Sequence, residues 1–398
     1  VRTEDERQPR AGAERVRWSE DGVERDARWR SGSGARPPRW VRVADDRMPA
    51  DTAYKLACEG TALLWRGDHH GARQLLAALG RRVDRKPPKP GAGPRETFHR
   101  YRQARSRRTR VLGMLLVPLE TTPDGRYEVP LRRAPDVDAA CTAAWGPARP
   151  CDGPALVALR ELLGVLSAHE WRRTGVPVDA LGGDRVHPHH GVFSPVRGEY
   201  VDLVARAPLP GDPGSLTAFD IGTGTGVLAV VLARRGVGRV VATDAAERAL
   251  ACAEENVRRL GAAETVRVCG ADLFPPGSGP AHPADVVVCN PPWVPAKPAS
   301  ELEQAVYDPG SRMLRGFLDG LAPRLAPGGE GWLILSDLAE HLGLRSRAEL
   351  CGWIEAAGLH VVDRLDTRPA HARASDPDDP LHAARAAEVT SLWRLASR

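Results

Sequence analysis

The chain has 398 residues, long enough for two or three domains, and 42% of them are hydrophobic, enough for a sizeable core. A formal net charge of +5 is too mild to require a nucleic-acid partner, and only four of the 56 Lys and Arg residues are lysines (Lys55, Lys86, Lys89, Lys297), a skew that reads as genome base bias rather than function. The seven cysteines are odd in number and lack any Cys-x-x-Cys pair, which argues against a disulfide framework or a zinc site and favours a reducing, cytoplasmic setting. No apolar run approaches the roughly 20 residues of a membrane span.

Residues 1–47 are rich in Arg, Asp, Glu and Gly, without apolar periodicity, and are expected to form a disordered leader. Met48 precedes the first periodic segment and is a candidate natural start, which would make the leader a gene-calling artefact. The alternative, a nucleic-acid-binding arm, is disfavoured by the acids interleaved with its arginines. Residues 51–82 predict a helical hairpin, with Leu56, Leu63 and Leu64 on one stripe, Leu75, Leu76 and Leu79 on the next, and Gly67-Asp68 at the turn. Residues 86–94 are a Pro-rich linker. A helix over 95–116 carries six arginines between Arg100 and Arg110, read as a solvated face ahead of a surface for RNA or an acidic protein. Another helix over 153–173 presents Leu156, Leu159, Leu162, Leu163 and Leu166. The expectation is a mostly helical N-terminal domain over 48–180.

From about residue 215 strands alternate with helices, the pattern of an α/β sheet. Strands are predicted at Leu216–Ile221, Arg239–Thr243, Thr265–Cys269, Asp285–Cys289, Gly331–Ser336, His360–Leu365 and Glu388–Leu395, with helices near 226–235, 246–260, 312–325 and 346–357. A seven-stranded Rossmann-like domain over 181–398 follows.

Two motifs carry chemistry. The first strand ends in Asp220 and runs into Ile221-Gly222-Thr223-Gly224-Thr225-Gly226, whose glycines permit backbone angles and close approaches that a Cβ blocks. Asp244 ends the second strand, where a carboxylate can accept two ribose hydroxyls. Asp272 follows the third. Asn290-Pro291-Pro292-Trp293 follows the fourth, and there the Asn290 side-chain oxygen and the Pro291 carbonyl can bind the hydrogens of a planar nitrogen. Proline stiffens the turn, and Trp293 offers a flat wall for stacking. His187, His189 and His190 have no ligand spacing, so no metal is expected.

The acidic residue followed by Gly-x-Gly-x-Gly resembles the first motif of class I S-adenosylmethionine-dependent methyltransferases. The tetrapeptide is shared by methyltransferases that act on glutamine amides and on adenine or other base amines. The segment Tyr307-Asp308-Pro309 to Gly316-Phe317-Leu318-Asp319-Gly320-Leu321 is similar to one in protein N5-glutamine methyltransferases of release factors and ribosomal protein L3. This chain differs in having Trp293 for Tyr, Asp308 for Glu and Phe317 for the second glycine of a pair. The resemblance implies S-adenosyl-L-methionine as cofactor, with Asp220 near its methionine amino group, Asp272 at the adenine amine, Phe193 packing and Ser194 donating a hydrogen bond. It implies N-methylation of a protein glutamine, with Asn290, Pro291 and Trp293 as the transfer residues and Asn290 also among the cofactor contacts, with Gly222, Gly224, Gly226 and Asp244. The alternatives are a small metabolite amine or amide, an RNA or DNA base, and, least favoured, a non-catalytic cofactor-binding module. The segment 371–381 is an insertion that could cover the acceptor pocket. The acceptor and the oligomeric state are not legible in the residues.

Overall fold

A computed structural model describes residues 14–149, 151, 153–195, 198–298, 301–369 and 376–398. The chain divides into two compact units, Val1–Pro87 with Arg102–His169, and Pro88–Tyr101 with Glu170–Arg398.

The first unit is built on a sheet, which corrects the expected helical domain. Its elements are β1 (Arg15–Glu20), β2 (Val23–Arg30), β3 (Trp40–Ala44), α1 (Ala50–Glu59), β4 (Thr61–Trp65), α2 (His69–Asp84), the later part of α3 (Pro94–Leu112), β5 (Leu115–Thr121), β6 (Tyr127–Glu128), α4 (Asp138–Trp145), β7 (Ala155–Ala158) and the start of α5 (Leu159–Thr174). The strand order is β1-β2-β7-β5-β4-β3, with β6 on β5. The expected disordered leader is corrected as well. Its first 13 residues lie outside the described residues, but the rest supplies β1, β2 and β3, with Val16, Trp18 and Ala27 buried.

Both errors have physical causes. Thr61–Trp65 and Ala155–Ala158 are short, almost wholly buried strands. Such strands read as continuous apolar runs that periodicity cannot tell from a buried helix. In β1 the alternation of exposed arginines with buried Val16 and Trp18 was present but only two pairs long. The signal that would have found it is Asp21-Gly22, where both residues have positive φ (54° and 77°) and form a two-residue hairpin loop joining Glu20 to Val23.

The second unit contains the expected sheet. After β8 (Val176–Pro177), β9 (Arg185–Val186) and α6 (Glu199–Arg206) come β10 (Thr217–Ile221), α7 (Val227–Arg234), β11 (Arg239–Asp244), α8 (Glu247–Arg259), β12 (Val266–Gly270) and β13 (Ala284–Cys289). Then follow α9 (Glu301–Gln304), α10 (Arg312–Leu321), β14 (Leu325–Ser336), α11 (Leu338–His341), α12 (Arg347–Ala356), β15 (Leu359–Thr367), α13 (His382–Ala387) and β16 (Thr390–Ser397). The order is β12-β11-β10-β13-β14-β16-β15, with the first five strands parallel and β16 antiparallel to both of its neighbours. This is the seven-stranded Rossmann-like sheet expected from the sequence. Apolar clusters form on the sheet, one with α6 and α7, the other with α10 and α12.

The register sets the site. Ile221 of β10 lies opposite both Thr243 and Cys289. The next residues, Gly222, Asp244 and Asn290, therefore leave the sheet side by side at the carboxyl ends of the parallel strands, where ligands of open α/β sheets bind.

Candidate active site

Gly222, Gly224 and Gly226 have φ of 69°, 55° and 82°. At Gly226, the N-cap of α7, a Cβ would lie 3.2 Å from Ala253 Cα, so glycine is what lets α8 pack against the loop. At Gly224 a Cβ would meet nothing within 4 Å, so backbone strain, not protein crowding, demands glycine there. The loop is braced by Thr223 N–H donating to the Thr243 carbonyl at 2.8 Å.

Asp220 is buried beneath this loop. Its Oδ2 accepts Thr223 Oγ1–H at 2.6 Å and Ala229 N–H at 3.1 Å, while Oδ1 is buried with no partner. Burial pushes its carboxyl up to about 6, against the downward pull of those two donors. Ser194 Oγ and Glu199 Oε1, on the segment ahead of β10, are likewise among the buried oxygens without a hydrogen-bond partner. Tyr200 is buried within electrostatic reach of both Asp220 and Glu199, and its hydroxyl is raised by burial and by those two charges. An ammonium group with several N–H donors suits the unpartnered carboxyl oxygens of Asp220 and Glu199. Phe193 is 36% exposed, on the same segment as Ser194.

Asp244 Oδ2 accepts Gly224 N–H at 3.1 Å and Oδ1 accepts Ala246 N–H at 3.0 Å, so the carboxylate orients the loop and keeps further lone pairs for a ligand. Asp272 is exposed. Its neighbour Leu273 has φ of 77°, an unusual value for a non-glycine residue. Its carbonyl is held by Thr243 Oγ1 at 2.5 Å. Gly316 and Gly320, one turn apart on α10, receive the side chains of Leu273 and Phe274, since a Cβ would lie 2.9 Å and 2.4 Å from them. The loop bearing Asp272 is thus seated on α10 by two glycines, and the Phe274 ring stacks on Phe317 at 6.0 Å.

Asn290 follows β13 directly. Its Oδ1 accepts the Trp293 indole N–H at 2.8 Å. Trp293 is half-buried and packs against three apolar clusters, the third formed by Phe98 of α3 with Val294, Leu338, Leu342 and Leu381. Leu381 comes from the predicted covering insertion, whose residues 371–375 lie outside the described residues. Val294 is bridged to Tyr307, and Asp308 N–H donates to the Val294 carbonyl at 2.9 Å. Buried Asp308 accepts the N–H groups of Met313 at 2.9 Å and Leu314 at 3.2 Å, satisfying the first turn of α10. A Cβ on Gly222 would lie 2.6 Å from Met313 Cε. The Tyr-Asp-Pro segment therefore couples the Asn290 turn to the glycine loop through α10.

Asn256 was missed. Fully buried on α8, it accepts His187 N–H at 2.8 Å and donates to the Thr225 carbonyl at 3.0 Å, tying the segment ahead of the sheet to the glycine loop. A polar residue within the apolar stripe Ala249, Cys252, Ala253, Val257 was the available signal. The nearby histidines are also structural partners. His189 Nε2 lies 2.7 Å from Glu255, which also binds Arg172 and Arg259. Burial raises the Glu255 carboxyl, but hydrogen bonds and charge from His189 and Arg172 outweigh it and hold it at about 2.

Residues 184–340 match the family model described as the methyltransferase small domain. Over this stretch the chain is similar to methyltransferase domains. The chain is 32% identical over 161 residues to the release factor glutamine methyltransferase of Cereibacter sphaeroides, covering 37% of this chain and 54% of that protein. It is 37% identical over 152 residues to the ribosomal protein L11 methyltransferase of Pelotomaculum thermopropionicum, covering 38% and 40%. The chain spans about half the length, or less, of these relatives. A crystal structure of ribosomal protein L11 methylase from Lactobacillus delbrueckii subsp. bulgaricus is also similar, at 18% identity and a TM-score of 0.34, over 50% of this chain and 77% of that one. Among the described residues, no helix is long and apolar enough to cross a membrane.

Proposed function

We propose that this chain transfers the methyl group of S-adenosyl-L-methionine to the side-chain amide of a glutamine in a protein. The observation that carries the reading is the register that sets Gly222, Asp244 and Asn290 side by side at the carboxyl ends of adjacent parallel strands. The residues fit the cofactor. The unpartnered Asp220 Oδ1 and Ser194 Oγ suit its amino-acid end, Asp244 its ribose, Asp272 its adenine amine, and Gly222, Gly224 and Gly226 leave room for close approach. Phe193 packs over the methionine end. Bound there, the cofactor supplies an electrophilic methyl group on a sulfonium.

Transfer is an in-line displacement, so alignment is the chief requirement. An amide nitrogen is a weak nucleophile because its lone pair is delocalised. The Asn290 Oδ1 and the Pro291 carbonyl bind its two hydrogens and favour a more pyramidal nitrogen. The release factor and ribosomal protein names of the relatives support a protein acceptor.

The test is transfer of tritiated methyl from labelled S-adenosylmethionine to purified bacterial release factor, and to a lysate fractionated into protein, RNA and metabolites. Label that survives in protein and maps to a glutamine supports the reading. Label confined to RNA or to small molecules overturns the acceptor.

A further inference from the structure

An asparagine amide presents two nearly isosteric ends, an accepting oxygen and a donating NH2, and a half-turn of its terminal torsion exchanges them. At a transfer site that exchange matters, because only the oxygen can receive a nitrogen's hydrogen. The indole of tryptophan is a donor only. Whichever Asn290 atom lies 2.8 Å from Trp293 Nε1 must therefore be the oxygen. Turning the amide would set NH2 against N–H. The indole is itself immobilised, since its ring is packed against three apolar clusters and is half-buried.

We propose that Trp293 is a positioning residue for Asn290: its indole N–H fixes the carboxamide with the oxygen in the accepting orientation. The ring is not a stacking platform for the acceptor. An amide oxygen has two lone pairs, so the one not engaged by the indole remains for the acceptor nitrogen. Phenylalanine or tyrosine at this position cannot donate from the same ring atom, so the device belongs to the tryptophan. This inference rests on the transfer reading for its consequence and on the hydrogen bond alone for its existence.

Two measurements test it, on the full chain, with thermal melts confirming that each variant folds. In 15N-indole spectra of the 10 tryptophans, the Trp293 signal is the one lost in Trp293→Phe. Asn290→Ala is expected to move that signal upfield and speed its exchange with solvent; a signal left in place overturns the proposal. In methyl transfer to release factor, Trp293→Phe is expected to lower kcat about tenfold, the worth of one hydrogen bond, with KM and cofactor Kd within about twofold. Trp293→His, which keeps a ring N–H, recovers part of the loss. A stacking platform gives the reverse ranking, with Phe faster than His, and that result overturns the proposal. Absence of transfer by the unmodified chain would instead overturn the acceptor reading and leaves the spectroscopic arm decisive.

Discussion

Thr223 Oγ1 donates to Asp220 Oδ2 at 2.6 Å and leaves Asp220 Oδ1 buried without a partner. Burial raises the carboxyl from its ordinary 3.8 to about 6. A raised acid is penalised in the folded state once it ionises. The penalty is absent below the unfolded value, grows between pH 4 and 6, and levels at about 3 kcal/mol. A cationic ligand group reverses it. At pH 8, Asp220→Asn is therefore expected to raise the melting temperature of the ligand-free chain and to weaken S-adenosylmethionine at least tenfold. Unmodified cofactor affinity should fall as pH drops through about 6, and the variant should lose that dependence. Calorimetry from pH 5 to 8 checks both.

Asp244 holds Gly224 N–H and Ala246 N–H, two bonds that orient the loop from outside the core. Asp244→Ala should weaken cofactor binding by about ten- to a hundredfold, since charged hydrogen bonds are worth about 1.5–3 kcal/mol. Loss of the two backbone bonds should also lower its melting temperature modestly. Unchanged affinity by titration calorimetry contradicts the assignment.

Gly320 sets two effects against each other. Alanine in a helix interior gains about 0.5–1 kcal/mol over glycine. Its Cβ would lie 2.4 Å from Phe274, a ring stacked on Phe317, and overpacking of that kind costs about 1–3 kcal/mol. Gly320→Ala is expected to be net destabilising by urea denaturation. A more stable variant shows that the ring moves freely.

A chain started at Met48 would lack β1, β2 and β3 and the buried Val16, Trp18 and Ala27. It would also bare the edge of β7 that β2 covers and the edge of β4 that β3 covers. Such a chain should lose the cooperative unfolding of the first unit or aggregate. A melt matching that of the full chain would restore the leader reading.

The second unit was legible because its strands end in motifs. Val286, Val287, Val288 and Cys289 form an apolar run that stops at Asn290, and the glycine loop stops β10 in the same way. The first unit was not, because Thr61–Trp65 is too short and too uniformly apolar for period 2 to appear. Within the site, the acids at Asp220 and Asp244 were readable from their positions. The Asn290–Trp293 bond was not, because chain spacing does not say where an indole edge points. The tie made by Asn256 was hidden for the same reason, a side-chain geometry that depends on how α8 lies against the glycine loop.

The most direct test is a paired measurement on Asn290→Ala, with cofactor Kd by calorimetry and labelled methyl transfer to release factor by the same preparation. Cofactor binding within about threefold of the unmodified chain, with transfer reduced at least about a hundredfold, is the expected outcome. Transfer at the unmodified rate would contradict the account.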